Sequence, residues 1–355
     1  MRVLHVIESL AAGGIETTFL NVLRSWRRTA PWATHHVLAF SGGALEAAYR
    51  EAADAVTIAA GLEEQVRLLA APWEVVYFTF ERCAVRLLPL AIARSRAAVV
   101  YGKGYDMGGM FRLNDGFRWQ PDESVMWGAD HLTFTTAPLA QGFELPPQRA
   151  TVLGKAADVG KFLALAPPDA STPRRIVCVA NLHARKRLGD LALAVSSLRR
   201  DWPDLTLRFV GADDGGEGAR LVRLAAAHGF ARACELVGRR ADVAGDLAAS
   251  RVFALPSGCE GVPTAMLEAM AAGRPVVVTD VGHITSVVTD GVEGYVVPPG
   301  DIAALTDRLR RLVADPAAAG RMGLAARVRA KSHDVGAVAA RLRDVLVAAG
   351  REQAA

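Results

Sequence analysis

Short apolar runs alternate with longer stretches in which apolar residues recur every three to four positions. In the first half the short runs are Val3–Ile7, His35–Phe40, Ala55–Ile58, Val75–Phe80, Ala98–Tyr101, Leu132–Thr135 and Ala150–Leu153. In the second half they are Ile176–Ala180, Leu205–Val210, Glu235–Val237, Val252–Leu255, Pro275–Thr279 and Gly294–Val297. Many are apolar on both faces, as strands of a parallel sheet covered by helices are. Glu16–Trp26 reads as the first amphipathic helix, alanine-rich helices fill the gaps of the second half, and Val335–Ala349 is the last helical run. The pattern predicts an α/β protein with two Rossmann-like halves. Ala166-Pro167-Pro168-Asp169-Ala170-Ser171-Thr172-Pro173 is dominated by turn formers and reads as the linker. The expected domains are 1–165 and 175–332, with 333–355 a terminal helix that either stays on the second domain or crosses back to the first.

Composition narrows the function more than the fold. At 355 residues the chain exceeds one ordinary core and calls for two. A formal net charge of +4 without a basic tail or stripe gives no support to nucleic-acid binding. The four cysteines are widely spaced, and no Cys/His spacing suits a metal. The first apolar run is too short for a signal peptide and is followed at once by Glu8. No run approaches the ~20 residues of a membrane span. A reducing cytoplasm is the expected location. Phe19, Leu20, Leu23 and Trp26 share a helical stripe beside Arg24, Arg27 and Arg28. That stripe either packs on the sheet or lies on a membrane surface. The near-balanced charge of the first half favours packing, with at most weak peripheral membrane contact.

The most informative segment is 258–280. A strand ends at Leu255, a turn carries Glu260, Pro263 stands where a helix would begin, Glu268 follows eight residues after Glu260, and Gly273 closes the helix before Val276–Val278. Free N–H groups near Thr264 and Ala265 would favour a phosphate. Glu260 could accept hydrogen bonds from sugar hydroxyls. Helical side chains tilt toward the N-terminus, so Glu268 could reach the same ligand. Two acids flanking a phosphate site suit a sugar, a pyrophosphate and a ribose. The structural alternative is an ordinary αβ junction with two solvated acids, which the glycines, the proline and the flanking strands make less apt.

These residues resemble the signature of family-4 glycosyltransferases, which have the GT-B fold. The pattern Glu-Gly-x-Pro, then Glu-Ala-Met-Ala-x-Gly-x-Pro-Val-Val, is present without a gap from Glu260 to Val277. The likeness continues through Asp290–Asp301 and at Gly13-Gly14-Ile15-Glu16, and is loosest between about 42 and 150. It implies two Rossmann-like domains facing across a cleft. The activity implied is retaining, front-face transfer of a sugar from a nucleoside-diphosphate donor to an acceptor hydroxyl, with no cofactor and no metal. The partners implied are a nucleotide-sugar and a glycan, lipid-linked or small-molecule acceptor.

Carried over residue by residue, the resemblance places Lys186 on the family's phosphate-loop lysine and makes Lys186 and Glu260 the catalytic pair. Asn181 stands where many relatives have Arg, and Arg187 where many have Gly, so Arg185 or Arg187 would supply a second cation. Donor contacts are expected from Gly13, Gly14, Asn181, Arg185, Gly238, Arg239, Gly261, Val262, Thr264, Ala265 and Glu268. Many relatives carry a histidine near the acceptor. The matching stretches here have none, which leaves Tyr105 and Asp106 as acceptor-side candidates. Two other readings stay open: a non-catalytic nucleotide-sugar-binding partner subunit, and a phosphorylase or sugar-phosphate-accepting transferase on the same fold. A nicotinamide dehydrogenase ranks below both, since the Gly-x-Gly-x-x-Gly fingerprint is absent.

Overall fold

The computed structural model describes residues 1–354 apart from 12–13, 80, 104–122, 144 and 214. It divides into two compact units, 1–158 with 334–355, and 159–333.

Unit 1 runs β1 (Arg2–Ser9), α1 (Gly14–Thr29), β2 (Thr34–Ser41), α2 (Glu46–Ala52), β3 (Ala55–Ile58), α3 (Leu62–Leu69), β4 (Val75–Phe78), α4 (Glu81–Arg94), β5 (Ala98–Lys103), β6 (His131–Phe134), α5 (Ala137–Gln141) and β7 (Ala150–Val152). The strands form one parallel sheet in the order β3-β2-β1-β4-β5-β6-β7. The order reverses between β1 and β4, and such switch points are where open parallel sheets bind ligands. All four residues of β4 are buried, as a strand with helices on both faces requires. Phe19, Leu20, Leu23 and Trp26 of α1 lie in the core, so the apolar stripe packs inward. No helix of the described residues is long and apolar enough to cross a membrane.

Unit 2 runs β8 (Arg175–Val179), α6 (Leu188–Leu198), β9 (Thr206–Val210), α7 (Glu217–Ala227), β10 (Cys234–Leu236), α8 (Ala244–Ala248), β11 (Val252–Leu255), α9 (Thr264–Ala271), β12 (Val276–Thr279), β13 (Gly294–Val297), α10 (Ile302–Ala314) and α11 (Pro316–Ala330). Its parallel sheet has the order β10-β9-β8-β11-β12-β13. Strands β11 and β12 are buried throughout.

The last helix, α12 (Val335–Ala354), belongs to unit 1 and packs against α1, β4 and β5. The Trp26 indole, buried in the unit 1 core, donates to the Ala339 carbonyl at 2.8 Å. Of the two placements considered for the terminal helix, the structure has the crossing one.

The first boundary differs from the expected one. It falls after Asp158, and 159–173 belongs to unit 2. The reason is the set of contacts that hold this stretch. Phe162 is fully buried. The Arg327 guanidinium donates to the Leu165 carbonyl, that of Arg274 to Ala166, and that of Arg251 to Thr172. Burial, and next the nearby Arg327, pull the Arg274 guanidinium down to about 10. The proline-rich stretch is therefore a fixed part of unit 2.

One polar cluster sits inside the unit 1 core. His5 Nε2 and His35 Nδ1 are 2.9 Å apart, and the His35 ring stacks on Trp26 with centroids 5.0 Å apart. Burial lowers both histidines below their ordinary values, His35 to about 4 even though Asp54 acts in the opposite direction.

Candidate functional site

The site in unit 2 is built from strand-to-helix loops at the carboxyl ends of β8, β9, β10 and β11. After β8 the chain makes a single tight turn over Ala184–Lys186, capped by the His183 ring, whose Nδ1 accepts from the Arg185 N–H at 3.3 Å. Arg187 then adopts a left-handed conformation, φ 50°, and opens α6. The left-handed region penalises any residue with a Cβ, which is why glycine would suit this place. Arg187 holds Asp190 through Nε at 2.7 Å.

This turn delivers Lys186 to Glu260. The Lys186 ammonium donates to Glu260 Oε1, and their side chains are only 11% and 9% exposed. The Ser257 hydroxyl donates to the same oxygen at 2.6 Å, and the Thr279 hydroxyl donates to the Ser257 carbonyl at 2.5 Å. Among the described residues no hydrogen bond reaches Glu260 Oε2. The two loops are also joined through the backbone, Gly258 N–H donating to the Arg185 carbonyl at 2.8 Å. Below the pair lies Cys178, whose thiol burial pushes up to about 12, with opposing smaller effects from Lys186 and Glu260.

Pro263 is the residue before α9, and no side chain caps that helix start. The first amides of α9 thus have no side-chain cap. Thr264 and Ala265 are half-buried there. Val262 is 7% exposed, so a ligand contact from it would come from its backbone. Gly261 and Glu268 are half-buried, Glu268 in the second turn of α9.

At the ends of β9 and β10, Gly211 N–H donates to the Gly238 carbonyl at 3.0 Å. Gly238 has φ 71°. A Cβ on Gly211 would lie 1.9 Å from the Ala180 carbonyl oxygen, so three loops meet where only glycine fits. Asn181, Arg185, Gly238 and Arg239 are exposed at this rim. Gly14 opens α1 in unit 1. Gly13, Tyr105 and Asp106 lie outside the described residues. Among the described residues no cluster of three or more His, Cys, Asp or Glu side chains forms a metal site.

Sequence reasoning missed Ser257, Thr279 and Gly282. Gly282 has φ 58°, and a Cβ there would lie 1.7 Å from the Glu260 carbonyl oxygen, so the β12–β13 loop supports the Glu260 turn directly. The one signal for it was a glycine three residues past a strand end. The 290–301 part of the signature turns out to shape turns. Glu293 accepts from Thr289 N–H, Asp290 from Val296 N–H, and Asp301 caps α10 through Ala304 N–H.

Comparison with known proteins agrees with this layout. The family described as glycosyl transferases group 1 matches residues 173–315, which is most of unit 2. The glycogen synthase of Mycobacterium tuberculosis is 32% identical over 204 residues, 57% of this chain and 49% of that one. The GDP-mannose-dependent alpha-(1-6)-phosphatidylinositol monomannoside mannosyltransferase of Mycolicibacterium smegmatis is 36% identical over 163 residues, 43% of this chain and 42% of that one. The chain thus spans about half the length of the curated relatives it matches. Anabaena HepE, solved in complex with UDP, superposes with a TM-score of 0.82 at 17% identity, covering 98% of this chain and 100% of that one. By sequence its second unit is similar to the group 1 glycosyl transferases, and the chain has the GT-B fold of solved structures such as HepE.

Proposed function

We propose that the chain moves a sugar from a nucleoside-diphosphate donor onto an acceptor hydroxyl with retention of anomeric configuration. The observation that carries this reading is the Lys186–Glu260 pair, set beside a helix start that no side chain caps. The diphosphate would take the amides of Thr264 and Ala265 and the remaining N–H groups of Lys186. Arg185 at the rim adds a second cation. Charge that grows on the leaving phosphate is then met by fixed donors, and this reading requires neither metal nor cofactor. Glu260 Oε2 would accept from a sugar hydroxyl, and Glu268 from the ribose. Retention follows if the leaving phosphate itself takes the acceptor proton on the face it departs from, so no enzyme nucleophile is needed.

UDP, which HepE was solved with, is the first probe for the donor site. A thermal-shift series with UDP, GDP, TDP and ADP tests it. A nucleotide at 100 times its dissociation constant adds about 2.7 kcal/mol of stability. Stabilisation by one of the four is expected, followed by release of that nucleotide from its sugar derivative and an axial or equatorial product signal matching the donor. Absence of stabilisation by all four would sink the donor site. Binding without release of nucleotide would favour the non-catalytic partner.

A further inference from the structure

Two hydroxyls that touch no ligand in the donor reading are stacked behind Glu260. Ser257, three positions earlier in the same turn, donates to Glu260 Oε1 at 2.6 Å. That length is typical of a hydroxyl bonded to an ionised carboxylate. Thr279, the last residue of β12, donates to the Ser257 carbonyl at 2.5 Å. Ser257 is 0% exposed and Thr279 2%. Water cannot stand in for either hydroxyl, and a hydrogen bond to a charge in such a place counts for more than one at the surface. The loop after β12 holds the turn from a second side, where His283 N–H donates to the Gly261 carbonyl at 3.4 Å.

Ser257 and Lys186 meet the same oxygen but fix different things. An ammonium on a flexible four-carbon stem is a point charge that can bond either oxygen of a carboxylate. A hydroxyl on a one-carbon stem, in a turn tied to β12, has one direction. Lys186 also has a second use in the donor reading, since a diphosphate would compete with Glu260 for its N–H groups. An ion pair alone would then slacken at the moment the sugar has to be held. The Ser257 hydroxyl keeps its oxygen in either case.

We propose that Ser257, braced by Thr279, is the positioning residue of Glu260. It anchors Oε1 and so fixes the direction in which Oε2 meets a hydroxyl of the donor sugar. This rests on the donor reading of the site and adds to it two side chains that touch no substrate.

Calorimetry and donor hydrolysis on the full chain test it, with UDP and UDP-glucose, and with GDP and GDP-mannose alongside. Ser257→Ala and Thr279→Val should each lower nucleotide release from the sugar derivative by about 10- to 100-fold, the effect of a small misplacement at a reacting centre. Each should also lower the ratio of intact-donor to bare-nucleotide affinity, while bare-nucleotide affinity stays as in wild type. Thr279→Ser, which retains the hydroxyl, should keep the wild-type values. In a Glu260→Ala background Ser257→Ala should add nothing, because a residue acting through Glu260 loses its effect with it. Thr279→Val keeps the side-chain shape, so it carries the test should Ser257→Ala fail to fold. Wild-type turnover in both hydroxyl variants overturns the proposal. So does a Ser257→Ala loss that multiplies the loss of Glu260→Ala, or equal weakening of bare nucleotide and intact donor. No heat from wild type with any of the four probes sinks the donor reading, and the proposal with it. Binding without nucleotide release sinks the transfer step alone, and the affinity ratio then decides.

Discussion

Lys186 and Glu260, 74 positions apart, meet at a single carboxylate oxygen that Ser257 also holds. The pair is nearly closed to solvent, so the ammonium is oriented before any ligand arrives. Removing a charge-stabilising donor lowers turnover by about 100-fold or more. Lys186→Ala should therefore nearly abolish transfer while the circular-dichroism spectrum stays native. Activity within about threefold of wild type would move the role to Arg185 or Arg187.

The two acids should separate by ligand. Glu268→Ala is expected to weaken binding of bare UDP, because its partner would be the ribose. Glu260→Ala should act mainly on turnover and on the intact donor. Calorimetry with UDP and with UDP-glucose compares them, and equal losses on bare UDP would contradict the assignment.

Arg187 holds a backbone conformation suited to glycine, φ 50°, on a side chain 42% exposed. A left-handed residue with a Cβ carries about 1–2 kcal/mol of strain. Its exposed ion pair with Asp190 returns less than that. Arg187→Gly should raise stability by up to about 1 kcal/mol, part of the relief being lost to unfolded-chain entropy. A lowered urea midpoint would show that the arginine contributes more than its conformation removes.

The buried histidines set an acid limit. His35 falls from 6.5 to about 4 in the folded chain, so between those values the unfolded chain binds more protons. Stability is fully present above about pH 6.5 and is lost as pH falls toward 4, by about 3 kcal/mol from His35 alone. Urea midpoints at several pH values, compared with His35→Gln, should show a shallower acid slope in the variant. Identical slopes would place the acid sensitivity elsewhere.

The strands were readable because both-face burial writes each as a short apolar run. Val252–Leu255 and Gly294–Val297 match to the residue. Glu260 and Glu268 were readable because loop, proline and helix follow in fixed order. What was not readable lies in contacts between loops. Ser257 and Thr279 are ordinary loop residues until the fold stacks them behind Glu260. Pro167 and Pro168 read as a linker because proline marks turns. The buried Arg251 and Arg274 and the half-buried Arg327 that fix the stretch come from later in the chain.

The Trp26 hydrogen bond to Ala339 spans 313 positions. Unit 1 is made from both ends of the chain, whereas unit 2 is one continuous stretch. During synthesis the second unit thus has all its residues before the first has its closing helix. The usual order, in which the N-terminal domain matures first, is reversed. A nascent chain stalled near residue 333 should already bind UDP, while its N-terminal sheet still exposes the apolar face that α12 will cover.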